Sequence, residues 1–339
     1  MNMLIAEPSL KWRRIYRATL LIFLVGLPVY CFSYYIFSNF IPADSLFYSR
    51  FWDFSRVTMS IDQIYNSEHG FLGSSDAGYA LIIGLAAHLP FGRYEFLSFL
   101  NSIAAVSAVY AYLRRWYLLP VFYLLIFLGY YLPVLFIAPE RLRFASFLLL
   151  FSFLTGSILV RISLIVLAIL THSQISLLVL GLYVYLYYDD LRYAFGKIFK
   201  MKISKPAISL AFLSALFLGC IIILNPHVMH KVAEYGSTNY NWKLILAPVL
   251  IFSAYLLGLI GHALFFSLAT VFLVSIIALH SYLDRSLIVM YIIYLVDFLG
   301  VSSHKPKRYF LFLLVLCWTT WKSIMFYLSL ARGGGGFDF

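Results

Sequence analysis

The chain has 339 residues, of which 63% are hydrophobic and only 12% charged, with a mean hydropathy of +0.90. A soluble domain has no use for that much apolar surface, so the composition implies an all-α, polytopic integral membrane protein, read as one helical bundle over 1–332. The formal charge of +11 does not denote a nucleic-acid binder, because the basic residues fall in short clusters between apolar runs, as the positive-inside rule expects.

Lys11, Arg13, Arg14 and Arg17 precede the first apolar run and place the N-terminus in the cytoplasm. That run lacks a small-residue cleavage site, so a retained helix is expected over 15–38. Residues 39–76 read as the longer outer loop, carrying Arg50, Asp53, Arg56, Asp62, Glu68, His69 and Asp76 and punctuated near its end by Gly70 and Gly73. The apolar run 77–91 is short for a crossing and is expected to re-enter or lie at the interface. Run 95–113 ends at Arg114-Arg115 and so goes inward. Run 117–137 then goes outward and 144–160 returns to Arg161.

The stretch 162–188 is interrupted by Thr171-His172-Ser173-Gln174 and followed by Asp189-Asp190, Arg192, Lys197 and Lys200. With both flanks cytoplasmic by charge, it is expected to dip in and return as two short helices with His172 at the turn. One long, tilted helix is the rival. Run 207–224 leads to a second outer loop, 225–241. Runs 242–260, 263–282 and 285–301, a basic segment holding Lys305, Lys307 and Arg308, and the run 309–330 complete the bundle. Residues 333–339 read as a flexible tail. The count is about nine to eleven transmembrane helices, some broken or re-entrant. No repeat of fixed period is present. Cys31, Cys220 and Cys317 lie in or beside apolar runs, show no CxxC spacing and fix no redox compartment.

The chemistry centres on Ala138-Pro139-Glu140-Arg141-Leu142-Arg143, at the mouth of a membrane segment. Charge there is costly and marks a cavity or a site. Two arginines on the outer side also oppose the positive-inside bias. A planar guanidinium suits phosphate because it donates in pairs and stays charged. Two positions apart on a helix, Arg141 and Arg143 diverge, so each can reach a different part of a ligand. The plainer reading pairs Glu140 with one of them at the membrane edge. His172 fits a donor to phosphate, a proton carrier or a buried histidine satisfied by a neighbouring helix. Glu68 and Asp76, beside glycines, suit the orientation of a sugar hydroxyl or acceptance of its proton, or are simply solvated. His227, His230, Lys231, Glu234, Tyr235 and Tyr240 in the second outer loop have the same status; no third ligand accompanies the two histidines, so no metal site is expected. There is no P-loop, Gly-rich dinucleotide turn or nucleophile elbow.

Three segments in order resemble the Wzy-type polysaccharide polymerases, in particular the EpsG-like branch. Asp76-Ala-Gly-Tyr79 is similar to that branch's acidic-x-Gly-Tyr segment, Arg141-Leu-Arg143-Phe-Ala-Ser to its Arg-x-x-Ala segment, and Ala168-Ile-Leu-Thr-His172-Ser to its Ala-x-x-x-His-x-Ser segment. The resemblance covers roughly 60–180; beyond that only the hydropathy is similar. Phe144 stands where Gln or Tyr is common, which leaves open whether Arg141 or Arg143 is the equivalent residue.

The resemblance implies a GT-C-like multi-pass protein of the bacterial inner membrane, with its site toward the periplasm or cell exterior. Such proteins act in O-antigen, lipopolysaccharide or exopolysaccharide synthesis. They transfer a growing glycan from undecaprenyl diphosphate to the non-reducing end of a lipid-linked repeat unit, with inversion and without a metal or other cofactor. The implied catalytic residues are Arg141, Arg143, His172 and Glu140; the substrate-binding candidates are Glu68, Asp76, Tyr79, Arg56, Lys231 and Tyr235. The implied partners are the undecaprenyl-diphosphate-linked donor and acceptor, membrane lipid, a chain-length regulator and a flippase, with no nucleic acid. The alternatives are a transporter or flippase of lipid-linked oligosaccharide, or another membrane glycosyltransferase such as an O-antigen ligase. A ligase carries a larger late outer loop than 225–241.

Overall fold

The computed structural model describes residues 10–40, 45–58, 60–73, 76–112, 119–137, 140–172, 175–198, 243–278, 283–300 and 306–332. Among these residues the regular structure is all helical. The second outer loop, with Lys231 and Tyr235, lies outside the described residues, as do run 207–224 and the tail 333–339. The chain divides into two compact units, Met1–Leu167 with Thr319–Phe339, and Ala168–Trp318.

In the first unit, α1 (Leu10–Leu21) passes through a π-helical turn (Ile22–Gly26) into α2 (Leu27–Asn39). Pro28 accounts for the turn: it lacks an N–H and its ring crowds the preceding carbonyls, so the ladder shifts register. Ser102 Oγ donates to the Gly26 carbonyl at 2.9 Å. The apolar portion, Tyr16–Asn39, has 24 residues, enough to cross a bilayer.

The expected outer loop 39–76 is instead largely helical, with α3 (Ser45–Val57) and α4 (Ile61–Leu72). Tyr48, Phe51, Trp52 and Ser55 form the buried stripe of α3 at helical spacing. The charges between them hide this pattern from a reading of apolar continuity. Gly73 ends α4 with φ of 68°, a left-handed position that favours glycine. It turns the chain toward Asp76 and α5 (Ala77–Ala86), whose ten residues are too few to span a bilayer. The helix α6 (Arg93–Tyr112) carries the 95–113 run.

Two expected crossings are interrupted. Run 117–137 is α7 (Leu119–Leu128) and α8 (Tyr131–Ile137), bent by 62°. Gly129 lies at the break, and Pro133 removes one ladder donor just beyond it. The C-terminal helix satisfies the freed backbone: Tyr130 N–H donates to the Thr319 carbonyl at 3.3 Å, and Tyr327 O–H donates to the Phe127 carbonyl at 2.9 Å. Run 144–160 is likewise divided, between α9 (Glu140–Leu154) and α10 (Ile158–Thr171). Thr155, Gly156 and Ser157 break it, with Thr155 Oγ1 accepting from Ser157 N–H at 3.3 Å. Arg161 therefore sits inside a helix, and its Nη2 donates to the Thr155 carbonyl at 3.0 Å.

In the second unit, α11 (Ile175–Leu186) is a helix separate from α10, so 162–188 is not one long helix, and His172 stands at the break. Then come α12 (Tyr188–Ile198), α13 (Lys243–Leu256), α14 (His262–Ala278), α15 (Leu283–Gly300) and α16 (Pro306–Ala331); the residues of α16 from Thr319 belong to the first unit. Helices α11, α14 and α15 pack closely at Gly181. A Cβ there would stand 2.7 Å from Val271 Cγ2 and closer still to Ile293, while Ser267 Oγ donates to the Gly181 carbonyl at 2.7 Å. Gly181→Val is expected to cost about 1–3 kcal/mol by overpacking; a thermal melt of the detergent-solubilised protein should show the drop, and an unchanged midpoint would contradict this packing.

Two described helices, Tyr16–Asn39 and Pro306–Ala331, are long and apolar enough to cross a membrane, or three spans if the bent α7–α8 pair is one. Other apolar helices are 10–17 residues long.

Candidate functional site

Six helices of the first unit bring charged and phenolic side chains to one place. Tyr48 comes from α3 and Glu68 from α4. Asp76 precedes α5, which supplies Tyr79, and Arg93 opens α6. Glu140, Arg141 and Arg143 lie in the first turns of α9, and the end of α8 closes the group. Beneath them Tyr79 packs on Tyr48, Phe51 and Phe144, at ring-centroid distances of 5.9, 6.0 and 5.9 Å. Phe144, which stands where Gln or Tyr is common in the polymerases this segment resembles, is thus part of the apolar floor; it also stacks near Phe96.

Glu140 is the inner hub, with 1% of its surface exposed. Its Oε1 accepts from Tyr79 O–H at 2.8 Å, and its Oε2 accepts from Arg93 Nη2 at 2.6 Å. Arg143 Nη2 lies 3.6 Å from the same oxygen. A buried carboxylate survives desolvation only with such charge-assisted partners. Arg143 also donates through Nη1 to the Phe136 carbonyl, and its guanidinium sits over the Phe37 ring at 5.2 Å. The Phe136 carbonyl, in the last turn of α8, accepts from Asn101 Nδ2 as well, at 3.0 Å. Cationic and amide donors at a helix C-terminus satisfy its orphan carbonyls. Arg143 is therefore built into the packing, joining α8, α9 and the Glu140 hub.

Arg141 faces the other way, as the two-residue spacing anticipated. Its Nη1 donates to Asp76 Oδ2 at 2.7 Å and lies 3.9 Å from Glu68 Oε1; its Nε donates to Tyr48 Oη at 3.3 Å. Glu68 Oε2 in turn accepts the Asp76 N–H at 3.1 Å, tying α4 to the start of α5. The Arg141 and Asp76 side chains are 11% and 13% exposed, against 2% for those of both Arg143 and Glu140. The cluster thus has a sealed half and a half that opens to the surface.

Both arginines precede the apolar run that starts at 144. Burial opposes the charge on Arg141, but the Tyr48 hydroxyl and the Asp76 and Glu68 carboxylates more than offset it, so its proton is held more tightly than usual. Burial pushes the Arg143 guanidinium down to about 10 against the pull of Glu140, which leaves it cationic at neutral pH.

Of the residues singled out in the sequence, Glu68, Asp76, Tyr79, Glu140, Arg141 and Arg143 are together here. Arg56 is exposed in the last turn of α3 and is in none of these ion pairs. His172 belongs to the second unit, where it is buried at the end of α10, its N–H on the Ala168 carbonyl at 3.0 Å. Tyr48 and Arg93 join this cluster without being among the candidates drawn from the sequence. Arg93 carried a readable signal: on the topology expected from the charge pattern it opens an inward-going run from the outer side, the same anomaly that marks Arg141. Tyr48 had none beyond its helical spacing. Among the described residues no three His, Cys, Asp or Glu side chains gather in a way that suits a metal ion. Tyr79→Phe keeps the ring packing but removes one donor from Glu140, and should cost roughly 1.5–3 kcal/mol; a melting curve equal to that of the unaltered protein would contradict this bond.

No family model matches the chain, and neither a curated protein nor a solved structure matches it.

Proposed function

We propose that this chain is a GT-C-like polytopic membrane bundle that polymerises lipid-linked oligosaccharide at the outer face of the bacterial inner membrane. The growing glycan passes from undecaprenyl diphosphate to the non-reducing end of a new lipid-linked unit. One observation carries the reading. Asp76-Ala-Gly-Tyr79 and the segment that opens at Arg141, distant in sequence, meet directly: Asp76 pairs with Arg141 at 2.7 Å, and Tyr79 bonds Glu140, the residue before Arg141, at 2.8 Å.

In this reading the acceptor hydroxyl attacks the anomeric carbon from the face opposite the diphosphate. The anomeric C–O bond breaks, and its electron pair leaves with the diphosphate. Arg141 donates to the charge that develops there. The hydroxyl proton goes to a carboxylate. Glu140 is held by Tyr79 and Arg93, and Glu68 is 0% exposed with the Asp76 N–H on its Oε2. Asp76 is the carboxylate that reaches the surface, and it is the base in this scheme. Arg143 positions the start of α9 and does not touch substrate.

Polymer synthesis by the purified protein should be unchanged by a strong chelator; inhibition that added metal reverses would count against this chemistry. The transporter reading draws on one observation, the 62° break between α7 and α8 with its freed backbone groups satisfied by α16. Movement of a labelled lipid-linked saccharide across a vesicle bilayer, without polymer, would favour it.

A further inference from the structure

The geometry points to Asp76 as an internal stand-in for the donor's phosphate: diphosphate binding to Arg141 exchanges for the Asp76 carboxylate and thereby releases the base. This rests on the reading of the preceding subsection. It adds an order of events, in which the donor must bind before the acceptor's proton has anywhere to go.

Three observations support the exchange. The first is charge. Among the described residues, the guanidinium groups of Arg93, Arg141 and Arg143 are matched in number by the carboxylates of Glu68, Asp76 and Glu140. A diphosphate that takes Arg141 competes with the Asp76 carboxylate already paired to it. The second is exposure. Asp76 and Arg141 form the ion pair that opens to the surface, while the Glu140 pairs are sealed. A carboxylate and a phosphate oxygen are equivalent acceptors for a guanidinium fork, so one replaces the other at little geometric cost. The third is that the Asp76 side chain does not cap the helix it precedes. It occupies the N-cap position of α5, yet it makes no cap bond with its side chain; its backbone carbonyl accepts from Tyr79 and Ala80, and its N–H is held by Glu68. The start of α5 is thus held through the Asp76 backbone and not through its carboxylate. The acceptor proton then passes to Asp76 as the new C–O bond forms, and Arg141 stays with the departing diphosphate.

The test is inorganic pyrophosphate binding, measured by calorimetry on the full chain in nanodiscs of neutral lipid. Asp76→Asn removes the competing charge while keeping a residue suited to the N-cap. It should bind pyrophosphate about fivefold to tenfold more tightly than the unaltered protein, yet make no polymer. Asp76→Ala serves the same purpose should the Asn variant be unstable. Arg141→Gln should lose the binding in either background. Binding that depends on Arg141 but is equal or weaker in the Asp76 variants overturns the exchange and leaves the leaving-group reading standing. Pyrophosphate binding that ignores Arg141 throughout overturns both.

Discussion

Polymer made by an Arg141→Lys protein should fall by about a hundredfold or more, while the protein remains folded. Arg141 donates from two nitrogens in two directions, Nε to Tyr48 and Nη1 to Asp76. An ammonium is a point charge and cannot reproduce that fork. It does keep a cation beside Asp76 and Glu68, so the charge of the cluster is unchanged and the packing is retained. On the proposed chemistry the loss then falls on stabilisation of the leaving diphosphate, where one donor commonly accounts for about 10²–10³ in rate. Quantifying the glycan ladder alongside a thermal melt separates the two effects. Equal activity for Lys and Arg at this position would show that no diphosphate is gripped there.

Glu140→Ala should act in the opposite way, removing folded protein before any question of activity arises. It leaves Arg93 and Arg143 buried without their shared carboxylate, at 7% and 1% exposure. Breaking a buried pair costs about 3–5 kcal/mol, a large part of the 5–15 kcal/mol that holds a typical domain. Tyr79 also loses its acceptor. Size-exclusion profiles and melting curves should show aggregation or a steep drop in stability. A monodisperse Glu140→Ala protein with an unchanged melting point would mean that Glu140 is not the hub of this network. Arg143→Ala belongs to the same class, since Arg143 holds the α8 terminus as well as Glu140. Lost polymer in that variant would report lost packing.

Particular residues show which parts of this organisation are legible in the sequence. The break at His172 was readable because polar side chains interrupt an apolar stretch between two basic flanks. The shortness of α5 was readable from the length of its run. The bend in 117–137 was not, because Gly129 and Pro133 are both common in membrane helices and only tertiary partners decide whether they kink one. Glu68, Asp76, Glu140 and Arg141 stood out because charge beside apolar runs is unusual. Their division into a sealed half and an open half depends on Arg93, Tyr48 and Asn101, which enter through long-range contacts. The spacing of Arg141 and Arg143 gave their divergence. Only their neighbours distinguish the residue facing outward from the one built into the packing.

The most direct measurement uses the purified protein in nanodiscs with an undecaprenyl-diphosphate-linked repeat unit. A ladder of glycan lengths that forms with the unaltered protein and vanishes with folded Arg141→Lys protein is the expected result. A well-folded unaltered protein that leaves the repeat unit unextended, or a ladder of equal intensity from the Arg141→Lys protein, would contradict the proposal that this cluster transfers glycan from a lipid diphosphate.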